Sequence, residues 1–377
     1  MVQSSQPSSD PVSTGDPPWR RSRTRQYLGL FAALFLFLAY FVHFWPDLHT
    51  ANESARIYFV QALVDHHTPV LDAVLAQYRV FNIDIARFEN HYYLDKAPGL
   101  SLLAAPLYWL LTRVFQMGIS FAELPALCHL LLLGCVVLPA TLGALAVTRL
   151  VEEETGDLQT GLIAGLITGA ATPYALYATL FFGHGLAAAC AIGSVFFSRK
   201  RYVLAGLLAG AMVLVDTATC MLASAIGLSL LWRTRSWRSL ALFCLGGVPG
   251  VAAQFAYNAL IFNGPLDFAY AHKASADLSS IHSQGLWGFT FPSMEALWGL
   301  TFGTERGLFF HAPILLLSLF CGRSTRPYLV ISAAHFIFLA AFVDWRAGDT
   351  YTARHLIPIV PLLMVAVGDA ICRHKRV

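Results

Sequence analysis

Five clusters of lysine and arginine punctuate a chain that is otherwise largely apolar: Arg20-Arg21 with Arg23 and Arg25, Arg199-Lys200-Arg201, Arg233 to Arg238, Arg323 to Arg326, and Arg373 to Arg376. Basic residues in short loops collect on the cytoplasmic side of a membrane, and a stretch of roughly 20 apolar residues is long enough to cross it. Both terminal regions and three internal linkers are therefore assigned to one side. Every stretch between two of these clusters must cross an even number of times.

Composition agrees with that frame. Of 377 residues, 56% are hydrophobic and 12% are charged, with a net charge of +3 and a mean hydropathy of +0.59. The basic excess is clustered at span ends, so it reads as membrane topology and not as a nucleic-acid footprint. The seven cysteines sit in or beside apolar runs without CxxC pairs or interleaved histidines, which indicates neither a zinc site nor a disulfide framework. Phosphate-loop, dinucleotide, HExxH and nucleophile-elbow motifs are all absent, and ATP-driven or hydride chemistry is set aside.

Taken in order, residues 1–26 are rich in Ser, Pro, Gln and Asp and read as a disordered cytoplasmic tail. Tyr27 to Trp45 is the first span, without a small-residue cleavage site. Residues 46–123 form the first outer loop. Within it Ile57, Val60 and Val64 recur at helical spacing, so Asn52 to Asp65 is expected to lie on the membrane as an amphipathic helix. Parity requires an odd number of crossings between Lys96 and Leu158. Gly99 to Phe115 is read as a second horizontal helix and Leu124 to Val147 as the second span; three short crossings satisfy the same parity.

The remaining spans are Gly161 to Tyr177, Gly185 to Phe197, Val203 to Val215, Thr217 to Trp232, Leu240 to Ile261, Gly307 to Phe320, Tyr328 to Val343 and His355 to Ala370. Val203 to Trp232 would be about 45 Å long as one helix, beyond the hydrocarbon core, so it is split at Asp216. The chain is thus expected to be all-α, with about ten transmembrane helices, two juxtamembrane helices, and a second large outer loop over residues 263–306. Gly246, Gly247, Gly250 and the small residues of Ala205 to Ala211 suit close helix packing in lipid.

Chemistry concentrates in Glu89 to Pro106, where Glu89, His91, Asp95 and Lys96 precede an apolar run. Lys96 can snorkel to the interface with Asp95 neutralising it, or dock a lipid-linked phosphate beside the Pro98-Gly99 turn. Glu53 likewise has two readings, because Thr50-Ala51-Asn52-Glu53 matches a capping box and also places an acid just past the first span.

The first span, the outer-loop acid and the segment Tyr92-Tyr93-Leu94-Asp95-Lys96-Ala97-Pro98-Gly99-Leu100 together resemble the GT-C superfamily of glycosyltransferases that use polyprenyl-phosphate sugars. The likeness is to the protein mannosyltransferase and aminoarabinose transferase branch, whose K-P-P-L turn is matched except for Ala97. Asn263-Gly264-Pro265, Arg306 to Pro313, and Arg354 to Pro358 with Pro361 are similar to blocks of bacterial multi-pass members. The resemblance implies two juxtamembrane helices in the first outer loop. It makes Glu53 the catalytic base, with Asp84 or Asp95 as substitutes because Asn52 stands where many members have Asp. It also makes Lys96 and Arg354 the donor-phosphate ligands, with Tyr92, Tyr93, Asp95 and His184 near substrate.

The implied reaction moves a sugar from a polyprenyl phosphate to a glycan, lipid or protein acceptor on the outer face of a bacterial inner membrane, both termini being cytoplasmic. A carboxylate deprotonates the acceptor and cations stabilise the leaving phosphate. Carboxylates at 53, 84 and 95 can hold one hard divalent cation, Mg2+ or Mn2+, but Lys96 and Arg354 can supply the charge instead. The competing class is a multi-pass transporter or flippase for a lipid-linked or anionic solute; a non-catalytic assembly subunit is a third.

Overall fold

The computed structural model describes residues 18–42, 50–78, 82, 84–120, 123–275, 284–348 and 350–375. Most of the expected tail and the Trp45 anchor lie outside them. Helix α1 (Pro18–Phe41) already includes the basic cluster, so residues 18–26 are helical and not part of a tail.

The segment after the first helix supplies α2 (Ala51–Asp65), α3 (Asp72–Tyr78), a two-stranded antiparallel hairpin of β1 (Ile85–Phe88) and β2 (His91–Leu94), and α4 (Gly99–Trp109), which runs on as a π-turn over Leu110–Val114. The hairpin departs from the all-α expectation. Its two-residue turn places Glu89 and Asn90 at φ of 48° and 66°, the left-handed pair that matches strand twist and that Asn tolerates well. Helix α2 departs from expectation too, for Asn52 through Ala62 are all buried. Its polar side chains turn toward other outer segments: Arg56 NH1 donates to the Ala97 carbonyl at 3.0 Å, and Gln61 Nε2 to the Tyr78 hydroxyl at 2.7 Å. With partners on every face, α2 is an interior helix and not one floating on lipid.

The bundle continues with α5 (Leu124–Thr155, containing a π-turn at Leu133–Val137), α6 (Leu158–Ala170), α7 (Pro173–Tyr177), α8 (Gly183–Phe197), α9 (Tyr202–Val215), α10 (Cys220–Thr234), α11 (Trp237–Ile261), α12 (Met294–Thr301), α13 (Leu308–His311), α14 (Arg326–Ala340) and α15 (Val360–Lys375). The chain does break at Asp216. The expected span Gly161 to Tyr177 breaks at Thr172, whose hydroxyl caps α7. Gly307 to Phe320 is no regular spanning helix: Pro313 has no amide to continue α13, and Pro313–Phe320 winds as a 3-10 helix. Among the described residues, Ser22–Phe41, Leu124–Thr155, Trp237–Ile261 and Arg354–Lys375 are long and apolar enough to cross a membrane, beside five shorter apolar helices. Leu36, Trp232, Leu245, Leu260 and Val330 stand exposed on the outside of the bundle, as a lipid-facing surface requires.

The basic clusters meet at one end. Arg23 pairs with Glu152 at 2.6 Å, Arg199 with Glu153 at 3.0 Å and with Glu154, and Arg233 reaches Ser198, while Arg373 pairs with Asp369, which accepts from Thr325 Oγ1 at 2.7 Å. The segment from α2 to α4 and Asp216 gather at the other.

Helices α9 and α11 make the tightest crossing. A Cβ at Gly210 would fall on the Gly247 backbone, and one at Gly250 on the Gly210 backbone. Gly250→Val is expected to cost about 1–3 kcal/mol or more of stability, as overpacking does. Gly264→Ala, with nothing within 4 Å of its Cβ, serves as the control. Thermal unfolding in detergent reads both, and an unchanged Gly250→Val would mean that the two helices are not held at this distance.

Candidate active site

Asp95 and Lys96 follow β2, and the hairpin is pinned to the bundle where the Tyr257 hydroxyl of α11 donates to the Leu94 carbonyl at 2.8 Å. From there a chain of charges is assembled. Lys96 Nζ lies 2.9 Å from Asp84 Oδ1 and 3.2 Å from Asp95 Oδ2, and Lys273 Nζ lies 3.3 Å from that same Asp95 oxygen. Asp95 is fully buried, and its other carboxylate oxygen has no hydrogen-bond partner. Burial alone would raise the Asp84 carboxyl, but Lys96, Lys273 and Arg354 hold it below the usual range.

Beside this chain sits Arg56, whose Nε donates to Asn52 Oδ1 at 3.0 Å and whose NH1 donates to the Ala97 carbonyl. Both partners are neutral. The same helix offers its Arg56 carbonyl to the Ser101 hydroxyl at 3.0 Å, which docks α4 against it. Arg354, at the head of the 3-10 turn leading into α15, has a buried Nε without a hydrogen-bond partner. Among the described residues neither guanidinium has a carboxylate within ion-pairing distance.

Arg56, Lys96, Lys273 and Arg354 line one cavity of ≈ 550 Å³ together with His184, Asp216 and His355. Its remaining wall is mostly apolar, with Val251 and Phe255 from α11, Leu266 and Phe289 from the segment between α11 and α12, and Phe338 from α14. Asp216 caps the turn after α9, accepting from the Ala218 amide at 3.2 Å, and takes His184 Nδ1 at 2.8 Å. Burial raises the Asp216 carboxyl, yet the imidazoles of His184 and His355 more than offset this and leave it well below its ordinary value.

Of the residues expected from sequence, Lys96, Arg354 and His184 line this cavity, and Asp84 and Asp95 are bound to Lys96 behind its wall. Tyr92 and Tyr93 do not line it; Tyr92 gives its amide to Asp72 Oδ1 at 2.8 Å, and Tyr93 packs edge-on against Phe262. Glu53 does not line it either. Its carboxylate accepts from the Phe181 amide at 2.9 Å and the Thr50 hydroxyl at 3.1 Å, while the Glu53 amide donates back to Thr50 Oγ1 at 3.2 Å. Arg56, Lys273 and His355 are additions to the sequence-derived set. For Arg56 a signal was present, since Asn52 and Arg56 stand four residues apart on one helix face.

No family model matches the chain, and no curated protein matches it by sequence. Its fold is similar to that of ArnT from Cupriavidus metallidurans, solved in the apo state, with a TM-score of 0.56 and 16% identity over 93% of this chain and 60% of that one. The chain therefore spans 60% of the length of that protein. The likeness is one of fold, a helical bundle that among the described residues includes four helices long and apolar enough to cross a membrane.

Burial pushes the Glu53 carboxyl above its ordinary 4.5, and the Phe181 amide and Thr50 hydroxyl offset only part of this. A carboxyl with a raised folded pKa gives its full contribution to stability below the unfolded value and loses it as pH rises through the folded one. Glu53→Gln, which still accepts from Phe181, is expected to raise the thermal midpoint relative to wild type at about pH 8 and to leave it little changed at about pH 4. A larger loss at the higher pH would mean that the site prefers the ionised form.

Proposed function

We propose that the chain is a membrane glycosyltransferase that takes a sugar from a polyprenyl-phosphate donor and passes it to a glycan, lipid or protein acceptor on the outer face of the membrane. The observation that carries this is the cavity itself, in which Arg56 and Arg354, two cations without carboxylate partners among the described residues, face a wall of apolar side chains. A buried cation without a counterion is costly. A lipid phosphate supplies both halves of the complement, an anion for the guanidinium groups and an apolar chain for Phe255 and Phe338. The likeness in fold to ArnT, a GT-C protein, supports the same reading.

The reaction is a single displacement. The acceptor oxygen attacks the anomeric carbon, the bond from that carbon to the phosphate oxygen breaks with its electron pair going to the phosphate, and the acceptor proton passes to a carboxylate. Lys96, Arg354, Arg56 and Lys273 stabilise charge on the leaving phosphate. Of the two carboxylates proposed as base, Glu53 has the higher basicity and Asp84 the closer position to Lys96. With four cations on one cavity, a divalent ion is not needed for the phosphate. A transporter would carry its charges in the middle of the spans; here Lys96, Asp216, Lys273 and Arg354 sit at helix ends and in the segments between helices.

The decisive experiment compares membrane lipids with and without the protein, and accumulation of a polyprenyl-phosphate sugar in its absence is the expected result. Unchanged lipid-linked sugars would remove the proposal. At the residue level, Lys96→Met and Arg354→Met are expected to couple by roughly 0.5–3 kcal/mol in affinity for that donor, whereas independent anchors would be additive within about 0.5 kcal/mol. For sidedness, a cysteine placed at Gln116 should be labelled from outside intact cells, and labelling only after permeabilisation would place Gly99 to Phe115 across the membrane.

A further inference from the structure

His184, Asp216 and His355 come from three separate places in the chain: the first turn of α8, the cap between α9 and α10, and the turn before α15. Their ligand-type atoms all lie within 4.8 Å of one another. Asp216 Oδ2 is 2.8 Å from His184 Nδ1 and 3.7 Å from His355 Nδ1, and the two imidazoles meet edge to face at 4.9 Å between centroids. A hydrogen bond from His184 to Asp216 explains only part of this. His355 Nδ1 is buried and has no hydrogen-bond partner, for Asp216 Oδ2 at 3.7 Å is within ion-pairing reach but beyond hydrogen-bond distance.

We propose that these three residues form a binding site for a divalent transition-metal ion of zinc-like chemistry, with its open coordination position toward the cavity. Two imidazoles and one carboxylate are the donor set of such ions, and three protein ligands with one free position is the pattern of open zinc sites. Metal bonds of about 2.0–2.2 Å in a tetrahedron put donor atoms roughly 3.3 Å apart, a spacing that the observed 2.8 and 3.7 Å bracket. The metal gives His355 Nδ1 the partner it lacks. A supporting contact is already in place, for a His335 ring nitrogen lies 3.0 Å from the His355 carbonyl and fixes the backbone of that ligand. All three residues line the cavity, so the fourth position is open to water or to an oxygen of a bound molecule.

This site differs in place and in kind from a hard-cation site built on carboxylates at 53, 84 and 95. Lys96 and Lys273 already share one oxygen of the buried Asp95, whereas no lysine or arginine pairs with Asp216 among the described residues. The inference rests on these three side chains and stands independently of the transferase reading.

The test uses the full chain in detergent, purified through a tag without histidine and stripped with a chelator, and then titrated with Co2+. One Co2+ per chain is expected, with visible d–d absorption of low-coordinate cobalt that Zn2+ abolishes. Asp216→Asn and His355→Gln should each weaken binding by more than the roughly 10–100-fold that losing a group which only orients a ligand costs, while His91→Ala, at an exposed pair with Asp72, should leave it unchanged. Asp216 also caps a turn, so His355→Gln is the deciding variant if Asp216→Asn is unstable. Wild-type protein that holds no more Co2+ than His355→Gln, or equal affinity in the two, overturns the proposal. Metal content is read without turnover, so failure here leaves the donor experiment unaffected and the reverse.

Discussion

One carboxylate carries the architecture of the polar end. Asp95 is fully buried, and ionised in isolation there it would cost several kcal/mol. It is tolerated because two ammonium groups meet it, Lys96 from its own segment and Lys273 from the segment between α11 and α12. Because the two lysines come from loops far apart in sequence, a single buried charge draws both loops to one point, and Tyr257 on the Leu94 carbonyl fixes that point to the helix bundle. Arg56 and Arg354 then have defined positions, and the cavity follows as the space between the charged group and the apolar helices behind it.

What the amino-acid sequence discloses here is mostly what a membrane imposes. Clusters of Arg and Lys gather at one end because positive charge marks one side of a bilayer, and the structure ties Arg23, Arg199, Arg233 and Arg373 into networks there. The break at Asp216 is legible because a continuous helix would overshoot the hydrocarbon core. Close packing at Gly210 and Gly250 is legible because small residues at helical spacing have few other uses in lipid. Lys96 and Arg354 are visible as charges beside proline-containing turns.

The rest was hidden because it depends on contacts distant in sequence. Nothing around Lys273 announces that it will meet Asp95, and nothing in α2 shows that a helix with polar residues on several faces will be enclosed by other outer segments. The hairpin was obscured by a turn, Glu89-Asn90, that lacks the glycine which usually signals one. Glu53 shows the limit most clearly, since a capping residue and a base occupy the same position in a sequence motif. Only the Phe181 amide, 128 residues away, shows what holds its carboxylate.

The site has also an order in time. Arg354 and His355 are contributed by the turn that leads into α15, while Arg56, Lys96, His184, Asp216 and Lys273 all precede it. Chains fold from the N-terminal side as they are made, so a growing polypeptide can complete its lipid-facing helices and its buried Asp95 pairings while the cavity still lacks one wall. A chain interrupted before residue 354 lacks not only these two cavity residues but also α15, whose residues Val360 to Ala370 are all buried, so closing the cavity and completing the core of the bundle are one and the same step.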